Sequence, residues 1–174
     1  YCTDVFFDEA ISFINKNKEN PFLCFLSLNA PHSPFNVPKE YYELYENESD
    51  LLESQKRFYG MITNIDDNFG KLHQNVKSLG ILDNTIIIFT TDNGTSNGYK
   101  YSKKDKKWLG FNAGMRGTKT SEYDGGHRVP FIIKWKKGGL FGGHSYSGLS
   151  AHVDMLPTLL SFAKIAFNST KKID

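Results

Sequence analysis

Cysteine, paired histidines, long apolar runs and strong net charge are all scarce in these 174 residues, and each scarcity excludes something. Cys2 and Cys24 are the only cysteines. They lie far apart in unlike contexts and leave the redox compartment open. The formal net charge is only +2, which gives no reason to expect nucleic acid as a partner. No apolar stretch reaches the ~18 residues of a membrane span. None of the five histidines stands in H-x-H or H-x-x-x-H spacing, so the usual pattern of a zinc site is missing. No internal repeat is present. The chain begins at Tyr1 rather than Met and carries no visible leader, which fits the middle-to-late part of a longer protein.

What is there reads as a soluble α/β protein. Hydrophobic residues make up 39%, aromatic 14% and charged 23%. A helix is expected over residues 4–18, capped by Thr3 or Asp4, with Phe6, Ala10, Phe13 and Ile14 on one face. The apolar run Phe22–Leu28 reads as a strand with Cys24 as a small core residue. A loop rich in Pro, Tyr and Glu follows over 29–52, where Tyr41, Tyr42 and Tyr45 either wall a cleft or pack on the protein's own surface. Residues 53–79 give the clearest helix, with Phe58, Met61, Ile62, Ile65, Phe69, Leu72, Val76 and Leu79 at three- and four-residue steps and Gly80 as its stop. Asp66 and Asp67 fall on its polar face. Residues 85–91 have no polar side, which suits a strand buried on both faces of a parallel sheet. A long loop over 95–118, a strand at 131–135 and a helix near 153–164 complete a mostly parallel central sheet flanked by helices, with right-handed crossovers.

Asp92-Asn93-Gly94 stands directly after the 85–91 strand, at the carboxyl end where open α/β sheets place their ligands. Asp and Asn offer two hard oxygen donors of the kind Ca²⁺ or Mg²⁺ prefers, and Gly94 permits a sharp turn beside an ion. An ordinary Asn-Gly turn is the plainer alternative. His32, held between Pro31 and Pro34, can donate to an anionic ester or protonate a leaving oxygen; a solvent-exposed loop histidine is the alternative. Lys119 lies among small residues that allow close approach, and its ammonium is a point charge suited to one oxygen of a sulfate or phosphate. Glu122 and Arg128 either pair with each other or brace the Gly125-Gly126 turn. Lys100, Lys103, Lys104, Lys106 and Lys107 interleave with Tyr99, Tyr101 and Trp108, as a solvated loop or as a grip on a sulfated sugar.

Four segments, in order, resemble the sulfatase family of the alkaline-phosphatase-like superfamily: Asn29-Ala30-Pro31-His32-Ser33-Pro34, the strand end Thr91-Asp92-Asn93-Gly94, Met115-Arg116-Gly117-Thr118-Lys119 through Asp124-Gly125-Gly126-His127-Arg128-Val129-Pro130, and His152-Val153-Asp154-Met155-Leu156-Pro157-Thr158. The resemblance implies hydrolysis of sulfate esters, with Asp92 and Asn93 as metal ligands for one Ca²⁺ and with Lys119 and His32 as catalytic and substrate-binding residues. Asn93 stands where phosphonate and phosphodiester hydrolases of the superfamily carry a histidine for Zn or Mn, so a hard cation is favoured. Such a hydrolase, or a non-catalytic module that binds sulfated glycans, is the alternative. The family's nucleophile is a formylglycine made from Cys or Ser in a C/S-x-P-x-R motif. Neither Cys2 nor Cys24 has Pro two residues on and Arg four on. Asp4, Asp8 and Glu9 fall on a helix and do not replace the family's first metal aspartates. Residues 1–174 are therefore expected to be a partial catalytic domain, incomplete at its N-terminal side, with the formylglycine and half the metal site upstream. The implied substrate is a sulfated small molecule or glycan. The implied location is periplasmic, secreted or lysosome-like.

Overall fold

In the computed structural model, which describes residues 1–166, helix α1 spans Cys2–Asn17 and buries Thr3, Phe7, Ala10 and Ile14. The expected face is rotated: Phe6 and Phe13 are 37% and 40% exposed. Apolar residues wrap more than one side of this helix, so periodicity alone does not choose the buried one. Polar bonds do. Asp4 accepts hydrogen bonds from Asn64 Nδ2 at 2.8 Å and Asn68 Nδ2 at 2.7 Å on the helix it packs against. Thr3 lies buried inside α1, and neither it nor Asp4 serves as the expected cap.

Helix α2, Lys39–Glu43, interrupts the 29–52 stretch and packs on helix α3, Glu53–Ser78. Tyr42 Oη donates to Glu53 Oε2 at 3.1 Å, Tyr45 Oη meets Thr63 Oγ1 at 2.7 Å, and the Tyr45 and Tyr59 rings lie 5.8 Å apart. Tyr42 and Tyr45 thus pack on α3, and Tyr45 and Tyr59 also line a surface hollow with Leu44 and Phe111. Phe58, Met61 and Val76 of α3 meet the core, and Asp66 and Asp67 are exposed as the apolar pattern requires. Gly80, at φ +74°, ends the helix.

Strand β1, Ile87–Thr90, is shorter than the expected 85–91 and only half-buried. The segment 95–118 holds two strands of its own, β2 (Tyr99–Ser102) and β3 (Lys107–Gly110), paired as an antiparallel hairpin with Tyr101 opposite Trp108. A short helix α4, Asp124–His127, precedes strand β4, Phe131–Lys134. Strands β1 and β4 pair antiparallel, Ile87 opposite Lys134 and Thr90 opposite Phe131.

Every strand pairing among the described residues is thus antiparallel, and the expected mostly parallel central sheet is not seen among them. Phe22–Leu28 explains why. The segment alternates as a strand does, half-buried at Phe22, Cys24, Leu26 and Leu28 and exposed at Leu23 (79%) and Phe25 (87%). It pairs with no strand among the described residues, and an extended segment without a ladder partner is not a strand. Cys24 is accordingly half-buried, not a full core residue.

Residues Tyr1–Phe141 form one compact unit and a second begins at Gly142. In the second, a 3-10 turn His152–Asp154 runs into helix α5, Met155–Phe162, where a terminal helix was expected. Asp154 Oδ2 accepts from the Ala151 N–H at 2.7 Å and fixes the start of that turn. The expected domain of 1–174 runs past the described residues. Among those residues no helix is long and apolar enough to cross a membrane.

Candidate active site

The end of β1 and the glycine-rich segment before β4 are stitched together through their backbones. Gly94 N–H donates to Gly126 O at 2.9 Å, and Lys119 N–H donates to Thr95 O at 2.8 Å. The approach is so close that a methyl group on Gly94 would collide with the Gly125 carbonyl oxygen, and one on Gly125 with the Gly117 carbonyl oxygen. Gly94 is required by this crowding; its backbone does not adopt the left-handed conformation that only glycine tolerates. Within the second segment, Gly125 N–H bonds Arg116 O at 2.8 Å and Gly126 N–H bonds Tyr123 O at 2.7 Å. Buried Asn112 donates through Nδ2 to Met115 O at 2.7 Å and Gly117 O at 3.1 Å, and the Arg116 guanidinium lies 3.5 Å from the Tyr123 ring centroid.

This stitching makes Asp92, Asn93 and Lys119 neighbours along adjoining stretches of backbone. Lys119 is half-buried, Asn93 half-buried and Asp92 exposed. Neither Lys119 nor Asp92 belongs to an ion pair among the described residues. Arg128 pairs with Asp124 at 3.4 Å on α4, and the Glu122 carbonyl accepts from His127 Nε2 at 3.0 Å, so the Glu122–Arg128 pair does not form.

His32 stands on a separate exposed turn. Its N–H donates to Asn29 O at 2.9 Å, and the peptide bonds before Pro31 and Pro34 are both cis. Nδ1 lies 2.8 Å from the Ser33 carbonyl, which only accepts, so in the neutral ring the proton sits on Nδ1. No described hydrogen bond ties this turn to residues 92–95 or to Lys119.

Asp92 and Asn93 bring a carboxylate and an amide oxygen, a donor set that fits a hard cation in kind but not in number. Ca²⁺ takes 6–8 oxygens. Among the described residues no group of three or more His, Cys, Asp or Glu side chains could hold a metal. Neither cysteine stands in a C-x-P-x-R motif, and burial pushes the Cys24 thiol up, away from the reactive thiolate.

The residues that mount the β2–β3 hairpin escaped the sequence reading. Gln55, fully buried on α3, accepts through Oε1 from Leu52 N–H at 2.9 Å and donates through Nε2 to Leu109 O at 2.9 Å. One turn further on, Tyr59 Oη donates to Gly98 O at 2.6 Å and accepts from Phe111 N–H at 3.0 Å. Burial pushes the Tyr59 phenol up, and the Phe111 bond only partly offsets it. Asn97 Nδ2 donates to Ser54 O at 2.7 Å. The one sequence signal was the four-residue step from Gln55 to Tyr59, which places both on one side of a helix.

The chain as a whole resembles known proteins. Residues 1–165 match the sulfatase family profile. The uncharacterized sulfatase YdeN of Escherichia coli is 31% identical over all of this chain and 30% of its own length. Human N-acetylgalactosamine-6-sulfatase is 28% identical over 99% of this chain and 30% of its own length. Among solved structures, Ps i-CgsB in complex with k-i-k-neocarrahexaose is 31% identical with a TM-score of 0.80, over 97% of this chain and 35% of that one. The chain therefore spans about a third of the length of the relatives it matches. Neither the phosphonate-hydrolase reading nor the non-catalytic module is favoured by these likenesses. With the four motifs in order and the profile covering residues 1–165, the chain belongs to the sulfatase family.

Proposed function

We propose that the whole protein hydrolyses sulfate esters of sugars and that this chain supplies part of its active site. The observation that supports this is the seating of Lys119: its backbone N–H is bonded to Thr95 O, just past the Asp92-Asn93 pair, and its side chain has no described ion-pair partner. Lys119 stabilises the negative charge that grows on a sulfate oxygen as the ester breaks. His32 contacts the sulfate and, charged, delivers a proton from Nε2 to the departing alcohol. Asp92 and Asn93 contribute two oxygen donors to a Ca²⁺ site, and the ion when bound supplies Lewis-acid polarisation of the sulfate. The nucleophile, a formylglycine, and the remaining metal ligands come from outside these residues. In that setting Phe22–Leu28 and Ile87–Thr90 take their places in a mostly parallel central sheet. Sugar sulfates are the favoured substrate class because similar proteins act on an N-acetylgalactosamine sulfate or hold a carbohydrate.

The test is steady-state kinetics on the protein expressed from its complete gene, with a chromogenic aryl sulfate and a sugar 6-sulfate. Lys119→Ala should lower kcat/KM by roughly 10²-fold, the cost of removing a transition-state charge stabiliser. Lys16→Ala, at an exposed site near the end of α1, is the control. Equal losses from the two substitutions would make Lys119 one surface cation among many and defeat the assignment.

A further inference from the structure

The β2–β3 hairpin is built inside out. Alternation along the two strands puts Tyr99, Tyr101 and Trp108 on one face and Lys100, Ser102, Lys107 and Leu109 on the other. The second face packs inward at Ser102 and Leu109, 2% and 6% exposed, while its lysines Lys100 and Lys107 stay exposed, Lys107 pairing with Asp50 at 3.0 Å. The aromatic face is therefore turned to solvent, with Tyr101 49% and Trp108 53% exposed. Its rings are already ordered among themselves. Tyr99 stacks on Trp108 at 4.8 Å and 15°, and Tyr101 meets Trp108 edge-on at 5.8 Å. Leaving large rings in water forgoes their burial, which points to a ligand that covers them.

The charge around this face is as lopsided as its polarity. The twelve residues Tyr99–Gly110 carry five lysines and one aspartate, more net positive charge than the +2 of the whole chain. Asp105 is taken up by the Ser102 hydroxyl at 2.6 Å. Lys103, Lys104 and Lys106, at the exposed turn, have no ion-pair partner among the described residues. The hairpin is also firmly mounted, through Gln55 and Tyr59, on α3. At its base it leaves the strand-end segment only a few residues after Asp92 and returns to the segment that carries Lys119.

We propose that Tyr99–Gly110 is a docking platform for the sulfated glycan chain itself, beyond the sugar being cleaved. A pyranose ring lays its apolar C–H face on Trp108 and Tyr101, while Lys103, Lys104 and Lys106 neutralise sulfates along the chain. The choice of sulfated sugar as the anion rests on the sulfatase reading; the platform itself does not depend on catalysis. Charge complementarity commits the site to an anionic chain over a neutral glycan, and the sulfatase reading makes that chain a sulfated sugar rather than a nucleic acid.

The experiment is calorimetric binding to the protein expressed from its complete gene, with a carrageenan hexasaccharide, its desulfated form and a short single-stranded DNA as probes. Trp108→Ala should weaken the sulfated hexasaccharide about 3- to 10-fold, the scale of one exposed ring contact, while Trp108→Phe keeps most of the affinity. The triple change Lys103→Ala, Lys104→Ala, Lys106→Ala should weaken it further and flatten its dependence on salt. The effect of Trp108→Ala should be the same in a Lys119→Ala background. A failed sulfatase reading would appear as absent turnover; a failed platform appears only in binding. Unchanged binding in the hairpin variants would overturn the proposal. So would equal affinity for the desulfated sugar, or equal affinity for the DNA.

Discussion

Asp4 is the residue on which the seating of α1 turns, and its partners are far off in sequence. Asn64 and Asn68, both 1% exposed, deliver their amide hydrogens to one Asp4 oxygen. Burial draws the Asp4 carboxyl upward, but these bonds outweigh it and hold the group below the usual aspartate range. A depressed folded pKa contributes stability that is fully present above the unfolded value of about 3.9 and is lost as pH falls through the lower folded pKa. Asp4→Ala should therefore lower stability by about 1–3 kcal/mol at neutral pH, the cost of stranding two buried donors, and the loss should shrink below pH ~4. Denaturant titrations at several pH values measure both; a pH-independent loss would show that packing, not charge, is at stake. Residues of this kind were invisible in the sequence because their partners lie 60 and 64 positions away. The strand-end motif was legible, since an acid, an amide and a glycine after an apolar run carry local meaning. The crowding that demands Gly94 was not, because it comes from Gly125 on another segment.

Elements were legible in proportion to how local their cause is. Helix α3 follows from apolar residues at three- and four-residue steps, and its ends fall close to where that pattern stops. Strands depend on partners. The apolar run at 85–91 yields a short antiparallel β1, and Phe22–Leu28 stays extended without a ladder. The hairpin within 95–118 was hidden because its aromatic side faces outward and its lysines imitate a solvated loop. What holds it is the pair of side chains on α3, and that can be measured. Tyr59→Phe removes the donor to Gly98 O and one of the two acceptors of Phe111 N–H, leaving its bond to Gly98 O at 2.7 Å. Stability should fall by about 1–2 kcal/mol, and hydrogen exchange at the Phe111 amide should quicken by roughly tenfold or more while the α1 amides stay protected. Uniform acceleration across both elements would mean that Tyr59 contributes only to global stability.

At the scale of the whole molecule, the chain carries a third of its relatives' length and, among the described residues, no group of three or more His, Cys, Asp or Glu side chains that could hold a metal. Produced alone, it should turn over no chromogenic aryl sulfate even in millimolar Ca²⁺, and it should associate through Leu23 and Phe25, which stand 79% and 87% exposed on an unpaired extended segment. Turnover that disappears in an Asp92→Ala control would overturn this, and light scattering reads the association. The mounting of the hairpin has a further consequence, for variation. Its footing is fixed at Gln55 and Tyr59, whose replacements disturb the fold, whereas residues 103–106 touch little beyond Ser102. Lys103 and Lys104 can therefore change without disturbing the footing, whereas Lys106 at φ +51° and Asp105, bonded twice to Ser102, hold the turn itself. A library randomised at 103 and 104 would vary the charge beside the exposed rings without first losing the scaffold.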